Sequence, residues 1–417
     1  MEAEIVSIGD EILLGMIADT NSAYLSDKLA NHGVAVRRQT TVGDDLDAIT
    51  DAVSAASGRA DLVIVNGGIG PTADDVTRQA VAAAANAPLR MDDEWLAVIQ
   101  GKFQRRKVEM PKSNQVQALI PEGATRIFNP SGTAAGFYLM IDGAEVAVFP
   151  GVPPELKAMF EQEYLPGLLE RAATGRVIVT RSVKCFGLPE SLINEKIERL
   201  MGPGKNPLVG LLAKDAVISV KVTASAEHER TALAMIDEVK QQVRERLGDY
   251  VFGEDDDALQ TAVARLLGER GLTLCTAESC TGGLIAERLT EISGSSKYFL
   301  GGAVTYSNEM KIDLLGVPER LFGEVGAVSS EVAQAMAEGI RERTGADYGI
   351  SVTGIAGPAG GTAEKPVGLV YIGIADLTGT QVKELRLSGT REHIRDRAAK
   401  HALNLLRLKV MAAHSRP

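Results

Sequence analysis

The 417-residue sequence contains little cysteine, little histidine and no long apolar run. Its three cysteines, Cys185, Cys275 and Cys280, cannot all pair and lack metal-binding spacing, which indicates buried thiols in a reducing compartment. The five histidines are scattered without an HxxxH pair, which argues against a histidine-ligated zinc centre. No stretch of about 18 apolar residues is present, so a membrane-spanning helix is not expected.

Basic residues are also too few to dominate the surface. There are 44 Lys and Arg against 55 Asp and Glu, giving a net charge of −11. The net negative charge therefore argues against nucleic acid as a partner, although it does not exclude a local basic patch. The first residues, MEAEIVSIGD, lack the basic and apolar segments of a secretory signal, so we expect a cytoplasmic protein without membrane association.

The order of apolar patterns predicts three domains, two of them α/β. Residues 1–170 alternate strand-like runs (EIVSI, VAVRRQTTV, DLVIVN, EVAVF) with helical stretches, which predicts a parallel sheet. Residues 171–254 read as a small α+β linking domain. An acidic run, Glu254 to Asp257, then opens a helix, and residues 255–417 contain strands at LTLCTA, AVTYS, DYGISVT and GLVYIGIA.

A serine stands where one of these strands turns into a helix. The strand LTLCTA leads into Glu278-Ser279-Cys280-Thr281-Gly282-Gly283, where backbone N–H groups can bind an anion or an oxyanion. Two more polar turns, 306–311 and 353–358, follow other strands, and the three can surround one small ligand. The alternative is that Ser279 only caps the helix.

A serine nucleophile needs a base, and no histidine lies between Glu229 and Glu392. A lysine of lowered pKa can serve instead, and Lys311 and Lys365 are the candidates. Cys280 is a rival nucleophile, or equally a small buried residue.

Acidic residues cluster at the strand ends of the N-terminal domain. Carboxylates there can hold a divalent ion, and the glycine turn at Gly67 and Gly68 lets backbone amides face a phosphate, a combination that suits diphosphate cleavage. The alternative is that Thr72 and Asp75 form a capping box and Asp19 caps the next helix.

The strings TAESCTGGLIAERLT, ISGSSKYFLGGAVTYSNEMK, GAVSSEVAQAMAEG and TGIAGPAGGTAEKPVG resemble the C-terminal domain of the CinA family, whose stand-alone members deamidate nicotinamide mononucleotide (NMN). The resemblance implies a Ser279/Lys311 dyad that needs no cofactor. It also implies an arginine for the phosphate, Arg391 or, close by, Arg395. Further implied active-site residues are Glu278, Ser296 and Tyr306, and implied substrate-binding residues are Thr281, Gly282, Gly283, Thr353, Gly354 and Gly357.

The strings GDEILLG, GGIGPTADDVT, NPSGTAAG and FPGVPPE resemble the N-terminal CinA domain, a relative of molybdopterin-binding domains. The resemblance implies an ADP-ribose pyrophosphatase, dependent on Mg, Mn or Co, that yields AMP and ribose 5-phosphate. Val116 stands where a lysine is usual, and Ala135 where a proline is usual. The implied metal ligands are Asp10, Glu11, Asp19, Asp74 and Asp75, with Asp75 also catalytic, and the implied substrate-binding residues are Asn21, Gly67, Gly68 and Thr77.

The middle segment resembles the KH-like linking domain of the same family and is interpreted as a spacer or dimer contact, so we expect a homodimer. The leading hypothesis is a bifunctional hydrolase of pyridine-nucleotide recycling that acts on NMN and ADP-ribose. A non-catalytic nucleotide-binding adaptor for competence or recombination proteins is the second. A molybdopterin-handling enzyme is the third, against which the TADD motif and the appended C-terminal domain argue.

Overall fold

The computed structural model describes residues 1–171, 177–202 and 204–413. By its contacts the chain divides into two compact units, residues 1–180 with 224–235 and residues 181–223 with 236–417. The architecture is α/β, with two larger sheets and a small α+β segment between them in the sequence, as predicted. Of the predicted linking domain, residues 172–176 and Pro203 lie outside the described residues.

The N-terminal sheet has the strand order β2-β1-β3-β8-β7-β6. Its strands, together with a separate β4–β5 pair, are β1 (Glu2–Ile8), β2 (Ala35–Val42), β3 (Leu62–Asn66), β4 (Leu89–Met91), β5 (Leu119–Pro121), β6 (Thr125–Ile127), β7 (Gly136–Ile141) and β8 (Ala144–Phe149). Its α-helices are α1 (Asp10–Leu13), α2 (Thr20–Asn31), α3 (Leu46–Ser57), α4 (Thr77–Ala84), α5 (Asp93–Arg105), α6 (Pro153–Ala158) and α7 (Leu165–Arg171).

The four strands predicted from the sequence are parallel, but the sheet as a whole is mixed. β7 pairs antiparallel with β8, and β6 antiparallel with β7. The reason is a two-residue turn in which Asp142 and Gly143 both have positive φ, 50° and 91°, the geometry that reverses a chain between hairpin strands. The expectation of a purely parallel sheet was wrong for this edge.

Both faces of this sheet are covered by helices, because alternate residues of each buried strand point to opposite sides. On β3, Val63 and Val65 pack with α3 and α4, while Leu62 and Ile64 pack with α2 and α6. The parallel register places the ends of β1, β3 and β8 side by side. The segments that follow these three strands therefore meet at one edge.

A four-stranded sheet of order β10-β11-β9-β12 forms the middle segment. Its elements are β9 (Val177–Phe186), α8 (Glu190–Ile197), β10 (Leu208–Lys214), β11 (Val217–Ala226), α9 (Glu229–Leu247) and β12 (Val251–Glu254).

The C-terminal sheet has the order β14-β13-β15-β16-β17, with β13, β14 and β15 parallel and the last two strands antiparallel. The predicted strand AVTYS is wrong in extent, because β14 ends at Val304 and the next three residues turn towards β13. The strands are β13 (Leu274–Glu278), β14 (Phe299–Val304), β15 (Tyr348–Gly354), β16 (Leu369–Asp376) and β17 (Gly379–Arg386). The helices are α10 (Leu259–Arg270), α11 (Leu284–Thr290), α12 (Asn308–Leu315), α13 (Arg320–Glu324), α14 (Ser330–Thr344) and α15 (Arg391–Ala413).

Within the described residues, no helix is both long enough and apolar enough to span a bilayer.

Candidate active sites

Three chain segments meet at the carboxyl ends of the parallel strands of the C-terminal sheet. Ser279 directly follows β13, and its N–H donates to the carbonyl of Val352 on β15 at 2.9 Å. On the other side, the N–H of Thr305, just past β14, donates to the carbonyl of Glu278 at 2.8 Å. Ser279 is thus held between the segments after β14 and β15, at the edge where ligands bind in open α/β sheets.

The carboxylate of Glu278 fixes the turn that carries the serine. It is 1% exposed and accepts hydrogen bonds from the N–H groups of Gly283 (3.0 Å), Ile285 (3.1 Å) and Ala286 (2.9 Å). These are backbone donors that the start of α11 would otherwise leave unpaired. With both oxygens so engaged, Glu278 is a positioning residue, and the prediction that it is catalytic is corrected accordingly.

Lys311 lies next to the serine hydroxyl. Its Nζ is 3.2 Å from Ser279 Oγ, and the residue is 2% exposed. The same nitrogen donates to the carbonyls of Thr305 (2.8 Å), Tyr306 (3.4 Å) and Ser307 (3.4 Å). A neutral amine has two N–H donors and one lone pair. Carbonyls on one side and Oγ on the other therefore suit an amine that accepts the serine proton.

Burial shifts the pKa values of Lys311 and Cys280, which both neighbour Ser279, in opposite directions. It lowers the pKa of Lys311 below the usual 10.5, against the attraction of Cys280 and Glu309, because a buried ammonium loses its hydration. It raises the pKa of the Cys280 thiol to about 12. Since the thiolate is the nucleophilic form, and Cys280 packs in the hydrophobic core, the structure favours Ser279 over Cys280 as nucleophile.

The second candidate base, Lys365, is engaged elsewhere. Its Nζ donates to the carbonyls of Val325 (2.5 Å) and Val328 (2.7 Å). Thr353, predicted to bind substrate, donates its Oγ1 to the carbonyl of Ala327 in the same loop at 2.8 Å. Lys365 and Thr353 thus hold the 325–328 loop against the sheet, and Lys311 is the lysine at the serine.

Two arginines on α15 reach the site from different directions. Arg391 donates from Nη1 to the carbonyl of Gly357 (2.8 Å) and from Nη2 to the hydroxyl of Tyr306 (2.9 Å), so it bridges the two outer turns. Arg395 donates to the carbonyl of Thr281 at 2.8 Å. Tyr306 is 60% exposed. Arg391 and Tyr306 therefore stand where an entering ligand meets them, and Arg395 supports the turn of Ser279.

The structure does not bring Ser296 to this site. Ser296 lies in a short 3-10 helix before β14, and β14 begins opposite Leu274, the first residue of β13. Ser279 follows the other end of β13, about 16 Å away along a five-residue strand. The predicted role of Ser296 beside Ser279 of the same chain is therefore corrected.

The glycines at the C-terminal site are required for different physical reasons. Gly282 and Gly283 have φ of 62° and 95°, a left-handed conformation that glycine adopts readily. A Cβ on Gly354 would lie 2.7 Å from Val370 Cγ2, so this glycine, predicted to bind substrate, is required by the packing of β15 on β16.

A second pocket, of about 630 Å³, lies at the carboxyl ends of β1, β3 and β8 in the N-terminal domain. Gly67 and Gly68, in its wall, have φ of 112° and 63°. A Cβ on Gly67 would come within 2.2 Å of the carbonyl oxygen of Ile8, and one on Gly68 within 2.2 Å of Thr77 Oγ1. Thr77 is fully buried behind Gly68. Its predicted contact with substrate is corrected to packing of the turn.

Two of the five predicted metal ligands use their carboxylates within the fold. Asp75 accepts from the N–H groups of Gly70 (2.7 Å) and Thr72 (2.8 Å) and from the Thr72 hydroxyl. Asp19 accepts from the N–H of Ser22 (2.9 Å) and the hydroxyl of Ser7 (2.6 Å). Asp19 is the N-cap of α2, as the capping alternative predicts. Asp75 instead closes a turn with Thr72 ahead of α4, whose N-cap is Val76, so the predicted capping box of Thr72 and Asp75 is wrong.

The other predicted ligands surround an acidic residue that the sequence analysis missed. Burial, together with the charges of Asp10, Glu11 and Asp74, raises the pKa of Asp44, against a hydrogen bond from the N–H of Asp10. Asp44 follows β2, so its position after a strand was the available signal. Yet within 1–171, 177–202 and 204–413, no three His, Cys, Asp or Glu side chains are grouped so as to hold a metal ion. These carboxylates do not form a preassembled metal site.

Asn21 and Arg78 shape the N-terminal pocket. Asn21 donates from Nδ2 to the carbonyl of Gly151 (2.8 Å) and to Asn66 Oδ1 (3.3 Å), which ties the start of α2 to the ends of β8 and β3. Arg78, missed by the sequence analysis, is 2% exposed and donates to the carbonyls of Ile69 and Gly70. Burial lowers its pKa to about 10, against the charge of Asp75. Arg78 and Asp75 thus fix the glycine turn from behind.

Sequence comparisons match three family models to successive parts of the chain. A family model described as "CinA C-terminal domain" matches residues 256–410, one described as "Probable molybdopterin binding domain" matches residues 4–170, and one described as "Damage-inducible protein CinA KH domain" matches residues 180–253. A Moorella thermoacetica protein, named as competence-damage inducible, is 45% identical over 406 residues, covering 97% of this chain and 98% of that protein. The chain belongs to the CinA family.

The chain is also similar to two other proteins with related names. The CinA-like protein of Kosmotoga olearia is 43% identical over 407 residues, which is 98% of each chain. The crystal structure of the competence/damage inducible protein CihA from Agrobacterium tumefaciens is 43% identical, covering 37% of this chain and 93% of that one, with a TM-score of 0.36.

The two departures from the CinA pattern have different surroundings. Ala135 is fully buried in a cluster with Trp95, Ile99 and Ala118, beneath the pocket wall rather than in it. Next to Val116, Gln117 is the residue that lines the pocket, and it accepts from Asn114 Nδ2 at 2.8 Å.

Proposed function

We propose that the C-terminal domain of this CinA-family chain deamidates NMN to nicotinic acid mononucleotide and ammonia. The 3.2 Å approach of Lys311 Nζ to Ser279 Oγ at a buried site supports this most directly. Among the described residues, Lys311 is the basic group within hydrogen-bond distance of this hydroxyl.

The geometry supports the following course for this reaction. The neutral Lys311 amine takes the Ser279 proton as Oγ attacks the carboxamide carbon, which forms a tetrahedral oxyanion. The proton passes from Lys311 to the amide nitrogen, the C–N bond breaks, and ammonia leaves an acyl-serine. Water then attacks this ester with its proton going to Lys311, and Oγ recovers a proton as the acid is released.

Backbone and side-chain donors provide for the charges of substrate and intermediate. The N–H groups of Cys280 and Thr281 have no hydrogen-bond acceptor in the described part of the chain, so they are available to the oxyanion. Arg391 and Tyr306, at the outer edge of the site, are available to the phosphate of the nucleotide.

The test compares Ser279→Ala with Cys280→Ser, which removes the other nucleophile one position away. We expect Ser279→Ala to release no ammonia from NMN and Cys280→Ser to keep substantial activity, with both variants folded by circular dichroism. Lys311→Arg should also be inactive, because a guanidinium stays protonated. Ammonia release by Ser279→Ala at the wild-type rate would reject the dyad. Binding of NMN without any turnover by the wild-type chain would favour the adaptor hypothesis.

We also propose that the N-terminal pocket hydrolyses ADP-ribose to AMP and ribose 5-phosphate. Its 630 Å³ volume lies within the usual range for small-molecule sites. The N–H groups of Gly68 and Ile69 find no acceptor among the described residues, which suits a diphosphate at the glycine turn.

The requirement for Mg, Mn or Co stays a prediction, since the carboxylates present are not gathered into a metal site. A divalent ion would neutralise charge on the diphosphate. Chelation should stop AMP formation and leave ammonia release from NMN unchanged. AMP formation that survives exhaustive chelation would reject the metal requirement, whereas absence of AMP with every metal would reject the activity.

A further inference from the structure

A third cavity, of about 370 Å³, lies where the small sheet packs on the helices of the C-terminal domain, within one compact unit. Four cationic side chains from four different elements line it, Lys184 on β9, Lys214 at the end of β10, Arg288 on α11 and Lys400 on α15. Both proposed activities leave this cavity unused.

The positive charges are only partly neutralised. Lys184 donates to the hydroxyl of Ser219 at 3.0 Å, and neither it nor Lys214 forms an ion pair within the described ranges. Arg288 and Lys400 share a single carboxylate, Asp396. The cavity is therefore deficient in negative charge although the protein carries −11 overall.

Two further carboxylates line the cavity and reduce its excess of positive charge. Asp257 is paired with Arg265 at 2.9 Å. Asp215 stands at the tip of the β10–β11 turn with φ of 51°, and its backbone carbonyl, not its carboxylate, accepts from Lys400. Four cationic side chains and two carboxylates line the cavity, and with their partners Arg265 and Asp396 included the surplus is still two positive charges.

The rest of the wall is apolar, with Val217, Phe252 and Leu259 among the lining residues. Cationic and apolar residues in the lining of one cavity suit a molecule that combines a phosphate with a less polar body. Lysines and an arginine that converge from several directions fit the several oxygens of a phosphate.

We propose that this cavity binds a phosphate-bearing small molecule of about mononucleotide size, at a site separate from both proposed reaction centres. The cavity's volume of about 370 Å³, between the small sheet and the C-terminal helices, favours such a ligand over a nucleic-acid strand.

The test is calorimetric titration of the full-length chain with inorganic pyrophosphate at low ionic strength, with Arg391→Ala and Gly68→Ala used to subtract heats from the two proposed centres. Lys214→Ala should weaken pyrophosphate binding about tenfold, the loss of one charge-assisted contact. Lys196→Ala, which removes the same charge from an exposed position on α8, should leave the affinity unchanged.

Asp215→Asn provides a test of opposite sign. Asparagine tolerates the left-handed conformation, so the turn is kept while one negative charge leaves the cavity, and pyrophosphate should bind several-fold more tightly. Equal losses in Lys214→Ala and Lys196→Ala, or weaker binding by Asp215→Asn, would overturn the site. Tighter binding of a single-stranded RNA than of pyrophosphate, lost in Lys214→Ala, would overturn the class of ligand.

Discussion

Replacing Glu278 by glutamine separates a positioning role from a catalytic one. The carboxylate accepts from Gly283 and Ile285 through Oε2 and from Ala286 through Oε1. A glutamine has one oxygen and one NH₂ group in the same space, so at least one of the three N–H groups would face a donor instead of an acceptor. The side-chain volume is nearly unchanged, and the effect is confined to these hydrogen bonds.

The expected cost is that of breaking one hydrogen bond to a charged acceptor in a buried position, about 1.5–3 kcal/mol. A change of this size corresponds to roughly a 10- to 100-fold increase in local opening. We expect hydrogen exchange at the first turn of α11 to accelerate by that factor, and ammonia release to fall because the turn that holds Ser279 is less well fixed.

Amide exchange followed by mass spectrometry, together with kcat and KM for NMN, measures both effects. Glu287→Gln is the matched control, since it also removes one carboxylate, from an exposed position on α11 itself. Unchanged exchange in α11 with a complete loss of turnover would refute the reasoning and return Glu278 to the catalytic residues.

Three further outcomes follow from the two sites. The rate of deamidation should rise with pH through the lowered pKa of Lys311, because only the neutral amine accepts a proton; a midpoint at or above 10.5 would contradict the burial argument. Asp75→Ala should destabilise the N-terminal domain by about 1–3 kcal/mol and retain metal-dependent AMP formation, whereas a hundredfold loss of turnover in a folded variant would make Asp75 catalytic. Gly68→Ala should abolish AMP formation without affecting deamidation, since its Cβ would lie 2.2 Å from Thr77 Oγ1, and wild-type AMP formation would show that the turn can move.

The dyad was accessible from the sequence because each partner has a local signal. Ser279 ends a buried strand and precedes a helix, and the absence of histidine directs attention to lysine. The choice between Lys311 and Lys365 was not accessible from the residues alone, because it depends on which chain segment each amine reaches. Only the fold shows that the Lys365 amine binds the 325–328 loop.

The acidic residues show the opposite case. Asp19, Asp75 and Glu278 are acidic residues at positions in the sequence that are typical of functional carboxylates. Each nevertheless binds backbone N–H groups three to eight residues away. Sequence spacing is compatible with both uses, and the difference lies in whether the carboxylate turns back onto its own backbone. Arg78 was missed because a buried arginine with two carbonyl partners has the same sequence signature as a surface arginine of an amphipathic helix.

In the fold, the parallel strands of the N-terminal sheet were predicted from short β-rich runs, whereas β17 was not predicted. β17 alternates exposed and half-buried residues at the edge of its sheet, and a polar edge strand has a weaker apolar pattern than a buried one.

Arg407 has a consequence for how the polypeptide can be divided. It is 3% exposed on α15, and its guanidinium donates to the carbonyls of Asp249 and Val251, which precede the C-terminal domain in the chain. Phe186, on β9, packs edge-on against His401 with ring centroids 4.9 Å apart. A fragment that begins at residue 256 would bring a formerly buried charge and an apolar strip of α15 into water. Excision of the C-terminal domain as an independent protein should therefore require compensating surface substitutions along that helix.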